Sequence, residues 1–523
     1  MKVSKLLVCA LLIAGYTPAN AQLKGILNRA QQAVKEKVVN ETDQKIKGKQ
    51  REVEMKVGDK VEQTTKKASK TAVGSIEAAV TGNGKTYYVS PNGSVRADGL
   101  SKNTALKDLQ KAIDIAEEGS VIYVAEGNYL GNMDRGSIEC GKFGNASDVG
   151  KFLKFYGGYS PDFSKRDPVK YITRIQPDAS CPKSLGAALF HITAKRKATD
   201  NRPAGEVVVD GFTFDGGEYN AYWYPDPDTP ASGTPNKEVL SGRLVEPGAN
   251  APSNAIGVSA SDWRALNITV EGKVKISNCV FVNCRDYGIE GSMGAGHIEV
   301  SNNVFIACRY AACQVRGALA SGKEDQISMD FHHNTVLFSW PRSKDFDDMG
   351  QGFRFMNGIR TINVYNNIFA YNARCGVERC YYENSKALEK LKQSNLYDNY
   401  FLGNKYDLEI CNNSQPIKVP AARIEEANEI GPKYEGNSEM PMNKSFLNAI
   451  DEPYLKGYLN LSMVKSEQYN ASSTINQINR AFGANQQGTS TIRVSMYANK
   501  YPWEKAKNLF GAVKGYGAQT ISK

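Results

Sequence analysis

Ile362-Asn-Val-Tyr-Asn-Asn-Ile-Phe369 alternates apolar and polar residues, breaks at an Asn pair, then resumes with an aliphatic and an aromatic residue. Alternation of period two predicts a strand with one buried face. The Asn pair predicts a tight bend whose backbone groups take side-chain partners. The pattern recurs as Val274-Lys-Ile-Ser-Asn-Cys-Val-Phe281, Ile298-Glu-Val-Ser-Asn-Asn-Val-Phe305, Met329-Asp-Phe-His-His-Asn-Thr-Val336 and Ser394-Asn-Leu-Tyr-Asp-Asn-Tyr-Phe401. A looser copy is Val207-Val-Val-Asp-Gly-Phe-Thr-Phe214.

The last apolar positions of the five copies, 281, 305, 336, 369 and 401, are separated by 24, 31, 33 and 32 residues. A coil of three short strands needs roughly two dozen residues, so the longer intervals carry loop insertions. One such unit cannot bury its apolar face alone. The copies therefore stack into a solenoid of parallel strands. Stacking superposes Asn303, Asn334, Asn367 and Asn399 into an inward ladder, with Cys279 in the first coil. A buried amide stack satisfies backbone groups of neighbouring coils, which makes it architecture rather than chemistry.

In these repeats the chain resembles right-handed parallel β-helix proteins of the pectate-lyase-like superfamily. Residues 86–93, 98–104, 109–114 and Gly119-Ser-Val-Ile-Tyr-Val-Ala-Glu-Gly-Asn-Tyr129 resemble the family's opening, where a helix closes the first coil. Phe155-Tyr-Gly-Gly-Tyr159 with Arg166-Asp-Pro168 resembles a segment of secreted surface β-helix proteins. The resemblance implies an all-β, right-handed solenoid over residues 85–415; beyond it the repeat fades, and residues 416–523 read as an irregular C-terminal cap over the open end or flank of the solenoid. The resemblance does not imply one activity, because the fold hosts lyases, hydrolases, adhesins and inert spikes. The Leu-Arg-His-Gly segment of alginate and dermatan lyases is missing, as is the Gly-His-Gly motif of polygalacturonases, and Asn-Lys-Ser occurs only at 443–445, outside the repeats; Gln314-Val-Arg-Gly317 is a faint echo of the first.

Residues 1–21 read as a secretory signal. Lys2 and Lys5 precede an apolar run from Leu6 to Gly15, and Ala19-Asn-Ala21 fits a small-x-small cleavage site. The run is too short to span a bilayer, and no later stretch approaches that length. The expectation is an exported protein, whether periplasmic, outer-membrane-associated or extracellular. Residues 22–75 form a charged helical arm that carries more than half of the formal net charge of +10. It reads as a solvated helix or stalk, or else as an arm for an anionic envelope surface or a partner helix. Because the basic excess is local, no nucleic-acid partner is expected.

Once the signal is removed, Cys140, Cys181, Cys279, Cys284, Cys308, Cys313, Cys375, Cys380 and Cys411 remain. Their C-x4-C spacings are not those of zinc sites. Cys284 and Cys308 share one coil position, three after the aligned Phe, so a buried thiol stack or an inter-coil disulfide is expected. The His residues are His191, His297, His332 and His333, too few for a His-based triad or zinc hydrolase to be read from sequence.

The repeat register predicts one polar column. Gly288-Ile-Glu290, Ala312-Cys-Gln314, Gly352-Phe-Arg354, Gly376-Val-Glu378 and Asp407-Leu-Glu409 place an apolar residue inward and the next residue outward. Glu290, Gln314, Arg354, Glu378 and Glu409 then stand in one exposed file about 4.8 Å apart. One reading is a groove for an acidic polysaccharide or envelope glycan. In it Glu290, Glu378, Asp347 and Asp348 hold Ca²⁺ against a uronate carboxylate, and Arg354 or Lys344 removes the α proton. Glu290, Gln314 and the rings of Tyr222, Trp223 and Tyr224 would contact the sugar. The other reading is a solubilising charged ladder, with Tyr222–Tyr224 as loop packing. The expected function is binding, with cleavage by β-elimination, of an acidic polysaccharide; the alternative is a non-catalytic surface adhesin or structural protein.

Overall fold

The computed structural model describes residues 84–130, 143–144, 151–176, 188–192, 196, 199–216, 254–258, 272–284, 287–317, 327–340, 350–356, 361–380, 394–411, 417–430, 433–461, 463–465, 477, 492–494 and 500–521. The signal, the arm, Tyr222, Trp223, Tyr224, Lys344, Asp347 and Asp348 lie outside these residues.

Three long sheets run along the chain, of ten, nine and nine strands. Successive strands visit the first, second and third sheets in turn, as in 296–301, 304–306 and 311–317, then 327–332, 335–337 and 351–355. Each pairs in parallel with its counterpart one coil away. The one exception in these sheets is the last strand of the third, Ile417–Val419, which runs antiparallel to 406–411. This is a right-handed parallel β-helix.

The turn from first to second sheet explains the repeat pattern. Its first residue is left-handed: Asn278 (φ 57°), Asn302 (58°), His333 (52°), Asn366 (54°) and Asp398 (53°). Asn and Asp tolerate this conformation better than most side chains. The second residue points inward. Asn367 Oδ1 accepts the Asn334 backbone N–H at 2.8 Å, while Asn367 Nδ2 donates to Phe331 O at 3.0 Å and to Asn399 Oδ1 at 2.9 Å. Cys279 joins through its N–H to Asn303 Oδ1. The ladder runs one step beyond the expected copies, to Asn437, whose Oδ1 accepts from Asn399. Parallel pairing accordingly continues through Tyr434–Glu439, past the exit expected at 415. This copy keeps the two-residue turn but has lost the apolar alternation that made the others legible.

The middle residue of each second-sheet strand fills the interior. Phe214, Phe281 and Phe305 stack with centroids 5.1 and 4.6 Å apart, and Phe369 stacks on Phe401 at 5.5 Å. Each ring contributes roughly 1.5–3 kcal/mol by burial, and each pair about 0.5–1.5 kcal/mol more. The row Gly288, Gly352 and Gly376 makes room for them: a Cβ at these positions would lie 2.7, 2.8 and 2.7 Å from the rings of Phe305, Phe369 and Phe401. The helix Leu109–Ile115, capped by Asp108, closes the core at one end. Ala421, Ile424 and Ala427 of the 3-10 segment Ala421–Ile430 close it at the other. Arg166 of the Arg-Asp-Pro motif ties coils together, with Nε donating to Gly157 O at 2.9 Å and the guanidinium paired to Asp210. Asp210 in turn accepts from Ser277 and Asn278 at 2.6 Å.

From Phe446 onward the C-terminal region packs along the flank, while Ala421–Ile430 covers the end. Val280, Val282, Val304, Ile306 and Leu337 point out of the second sheet and are buried by Phe446, Leu455, Tyr458, Tyr501 and Leu509. Tyr501 exchanges two hydrogen bonds with Asn283, at 2.8 and 3.0 Å. Ala518 donates its N–H to Thr335 Oγ1 at 2.9 Å. Among the described residues no helix is long and apolar enough to cross a membrane.

Candidate functional site

The third sheet holds the predicted column in register: Glu290 pairs with Gln314, Gln314 with Arg354, Arg354 with Glu378 and Glu378 with Glu409. The neighbouring Ile289, Cys313, Phe353, Val377 and Leu408 all lie in the core, so the file stands on the outside of the sheet.

The file is not exposed, contrary to the expectation. Gln314, Glu378 and Glu409 are 1%, 2% and 1% exposed. Carboxylates withstand such desolvation only when paired and hydrogen-bonded, and here they are. Arg354 Nη2 lies 2.9 Å from Glu378 Oε1, and its Nη1 donates to Gln314 Oε1. Gln351 Nε2 donates to Glu378 Oε2. Arg374 grips Glu409 with two parallel bonds, Nε to Oε2 at 2.7 Å and Nη2 to Oε1 at 2.9 Å, a geometry suited to guanidinium and carboxylate. Arg316 reaches Glu290 more loosely, at 3.5 Å, and its side chain is 47% exposed.

Sequence reasoning missed Arg316, Arg374 and Gln351. Arg316 was legible, because it stands two positions beyond Gln314 on the same outward face. Arg374 precedes its strand, where alternation says nothing. The structure brings Glu290, Gln314, Arg354 and Glu378 into one file, but Glu290 and Glu378 are three coil steps apart, about 14 Å. They do not share an ion. Both oxygens of Glu378 are already engaged. Among the described residues, no group of three or more His, Cys, Asp and Glu is placed to hold a metal ion. Asp347 and Asp348, the other two carboxylates of the expected Ca²⁺ set, lie outside the described residues.

A second polar cluster lies on the outside of the first sheet, around three of the four His. His297 Nδ1 is 2.9 Å from Ser328 Oγ and its Nε2 is 3.7 Å from Asp330 Oδ2. His332 Nε2 is 3.7 Å from Glu299 Oε1, and this contact, with Lys275 and Ser301, holds the Glu299 carboxyl well below the usual carboxylate range. Tyr365 stacks between His332 and Tyr397, at 4.8 and 5.0 Å. Burial, with nearby Asp330, pushes its hydroxyl up to about 12. These contacts link neighbouring coils across an ordinary strand-paired surface.

No family model matches the chain, and no curated protein does. Among solved structures it is similar to a complex of XylC with xylose, at 10% identity over 62% of this chain and TM-score 0.33; the chain spans 63% of that protein's length. It is also similar to a rhamnogalacturonan lyase, at 13% identity over 76% of this chain and 98% of that one, TM-score 0.32. The pectate lyase Pel9A follows, at 11% identity over 64% and 79%, TM-score 0.26. At such identities and scores these likenesses assign no chemistry to this chain.

Proposed function

We propose that the protein binds an acidic polysaccharide along the outside of its third sheet. The observation that carries this reading is where the chain places its insertions. From the fourth coil onward every connection between first and second sheets is two residues long, as at 278–279, 302–303, 333–334, 366–367 and 398–399. The long connections 259–272, 318–326, 338–350 and 381–393 all border the third sheet. Variable segments flanking one face of a rigid scaffold are where binding residues concentrate. One long first-to-second connection, 160–172, occurs earlier, in the second coil.

Three successive coils place one guanidinium each on this face: Arg316, Arg354 and Arg374. An extended polyanion crossing these coils meets a positive group on each of the three. Arg316, loosely held and exposed, is the group whose Glu290 contact a ligand carboxylate can replace. Arg354 and Arg374 are locked and shape the floor.

This pattern favours binding over cleavage by Arg354. A guanidinium stays charged in proteins, so Arg354 recognises a carboxylate rather than removing a proton. If the protein also cleaves by β-elimination, the base comes from a bordering segment, where Lys344 is the sequence's candidate. Tyr222, Trp223 and Tyr224, in the 216–253 connection of the third coil, are the proposed sugar-stacking rings. The test is gel retardation of the full chain in polygalacturonate, alginate and glycosaminoglycan, against neutral glucan and xylan, with and without Ca²⁺. The same mixtures are scanned for the ultraviolet absorbance of unsaturated uronate. Retardation by acidic polymers alone supports the proposal; retardation by none, or equally by neutral ones, overturns it. Product absorbance adds lyase activity to binding.

A further inference from the structure

The turn from second to third sheet carries a ladder of its own, and two cysteines interrupt it. Second-sheet strands align Val282, Ile306, Leu337, Ala370 and Leu402. Two residues further on stand Cys284, Cys308, Ser339, Asn372 and Asn404. In the later coils this position works as an amide ladder: Ser339 N–H donates to Asn372 Oδ1 at 3.1 Å, and Asn372 N–H to Asn404 Oδ1 at 3.0 Å. The fourth and fifth coils give up that bonding and put a thiol at the same place on both.

Both thiols are free in this structure and fully buried, 2% and 0% exposed. They stand one coil apart at equivalent positions, so their Cα atoms are about one strand spacing apart, roughly 4.8 Å. That lies inside the range of about 4.4–6.8 Å that a disulfide spans. Each is close enough to hydrogen-bond the other, and burial together with Cys308 pushes the Cys284 thiol up.

We propose that Cys284 and Cys308 form a disulfide that links the fourth and fifth coils when the chain folds in an oxidising medium. One thiolate attacks a sulfur of an external disulfide, either a small molecule or an exchange catalyst, and expels its first thiolate. The second cysteine then attacks the mixed disulfide and expels the other. Two thiol hydrogens are lost and the external disulfide is reduced to two thiols. In the closed solenoid the Cys284 thiolate is scarce and both sulfurs are shielded, so the bond forms before the fifth coil docks and is then sealed. The inference is independent of what the third sheet binds.

The test is to refold the full chain in oxidised and reduced glutathione, denature it in an alkylating agent without reductant, and map the peptides. Cleavage after Lys275, Arg285, Arg309 and Arg316 puts Cys284, Cys308 and Cys313 on three separate peptides, and fragmentation separates Cys279 from Cys284. The expected result is a cross-linked peptide joining Cys284 to Cys308, two hydrogens lighter than the free pair, with Cys279, Cys313 and Cys375 alkylated. In Cys284→Ser, Cys308 becomes fully alkylated. Alkylation of both cysteines in the refolded wild type, or a link from Cys308 to Cys313, overturns the proposal. The wild-type map decides the matter even if the variant does not fold.

Discussion

Arg354 Nη2 lies 2.9 Å from Glu378 Oε1 in adjacent coils, with side chains 12% and 2% exposed. A pair this buried is held by mutual dependence: removing one member strands the other. Arg354→Met should destabilise the fold by about 3–5 kcal/mol, the range for breaking a buried pair. Arg354→Met with Glu378→Leu should recover part of that loss, because no charge is left unpaired, while Gln314 and Gln351 each still lose a buried partner. Urea unfolding of the two single variants and the double variant checks this; additive losses would mean that the pair does not couple.

The amide ladder predicts a comparable cost from a neutral residue. Asn367 makes four ladder bonds, two accepted from Asn334 and two donated, to Phe331 O and Asn399. Asn367→Ala leaves buried donors and an acceptor unmet, each costing about 1–3 kcal/mol. A loss of at least about 3 kcal/mol is expected, read by thermal or urea unfolding.

Asp407 predicts a pH dependence. Its carboxyl accepts from Ala421 N–H at 2.8 Å and Asn404 Nδ2 at 3.1 Å, but burial outweighs both and raises it to about 6 from an ordinary 3.8. The folded state then holds this proton more tightly than the unfolded chain does. Asp407 therefore opposes folding fully above pH about 6, and the penalty fades as pH falls through 6 towards 3.8. Tm measured from pH 4 to 7 should fall more steeply with rising pH in the wild type than in Asp407→Asn. Parallel profiles would contradict this. Comparing the two proteins cancels the opposing contribution of Glu299, whose lowered carboxyl favours folding at higher pH.

Tyr501 joins the C-terminal region to the second sheet through its fully buried ring and its backbone bonds to Asn283. Tyr501→Ala should cost about 3–5 kcal/mol, as for other buried aromatic rings. It should also increase binding of a hydrophobic dye, because the outward valines of the second sheet lose their cover.

Much of this architecture was legible because a strand's period of two and a two-residue turn leave their marks in consecutive letters. Asn303, Asn334, Asn367 and Asn399 could be aligned by eye, and their alignment placed Glu290, Gln314, Arg354 and Glu378 in one file. Exposure was not legible. Alternation says that Glu378 points out of the barrel, but not that Arg354 and Gln351 close over it, since Gln351 comes from a neighbouring strand and the contact is tertiary. The coil at 434–439 was missed because its sequence keeps the turn but not the apolar pattern. The flank packing of Tyr501 was also open, because Asn283 and Tyr501 are 218 residues apart.

The claim that the third sheet binds an acidic polysaccharide is tested most directly through Arg316, whose exposed pair with Glu290 adds at most about 1 kcal/mol to stability. The measurement is calorimetric titration of a polygalacturonate oligomer into the full chain, wild type against Arg316→Ala, with Tm recorded for both. The account predicts binding that weakens by about tenfold or more in the variant, the effect of losing one charge-assisted contact, at unchanged Tm. Equal affinity in the two proteins, or no heat from either, would contradict it.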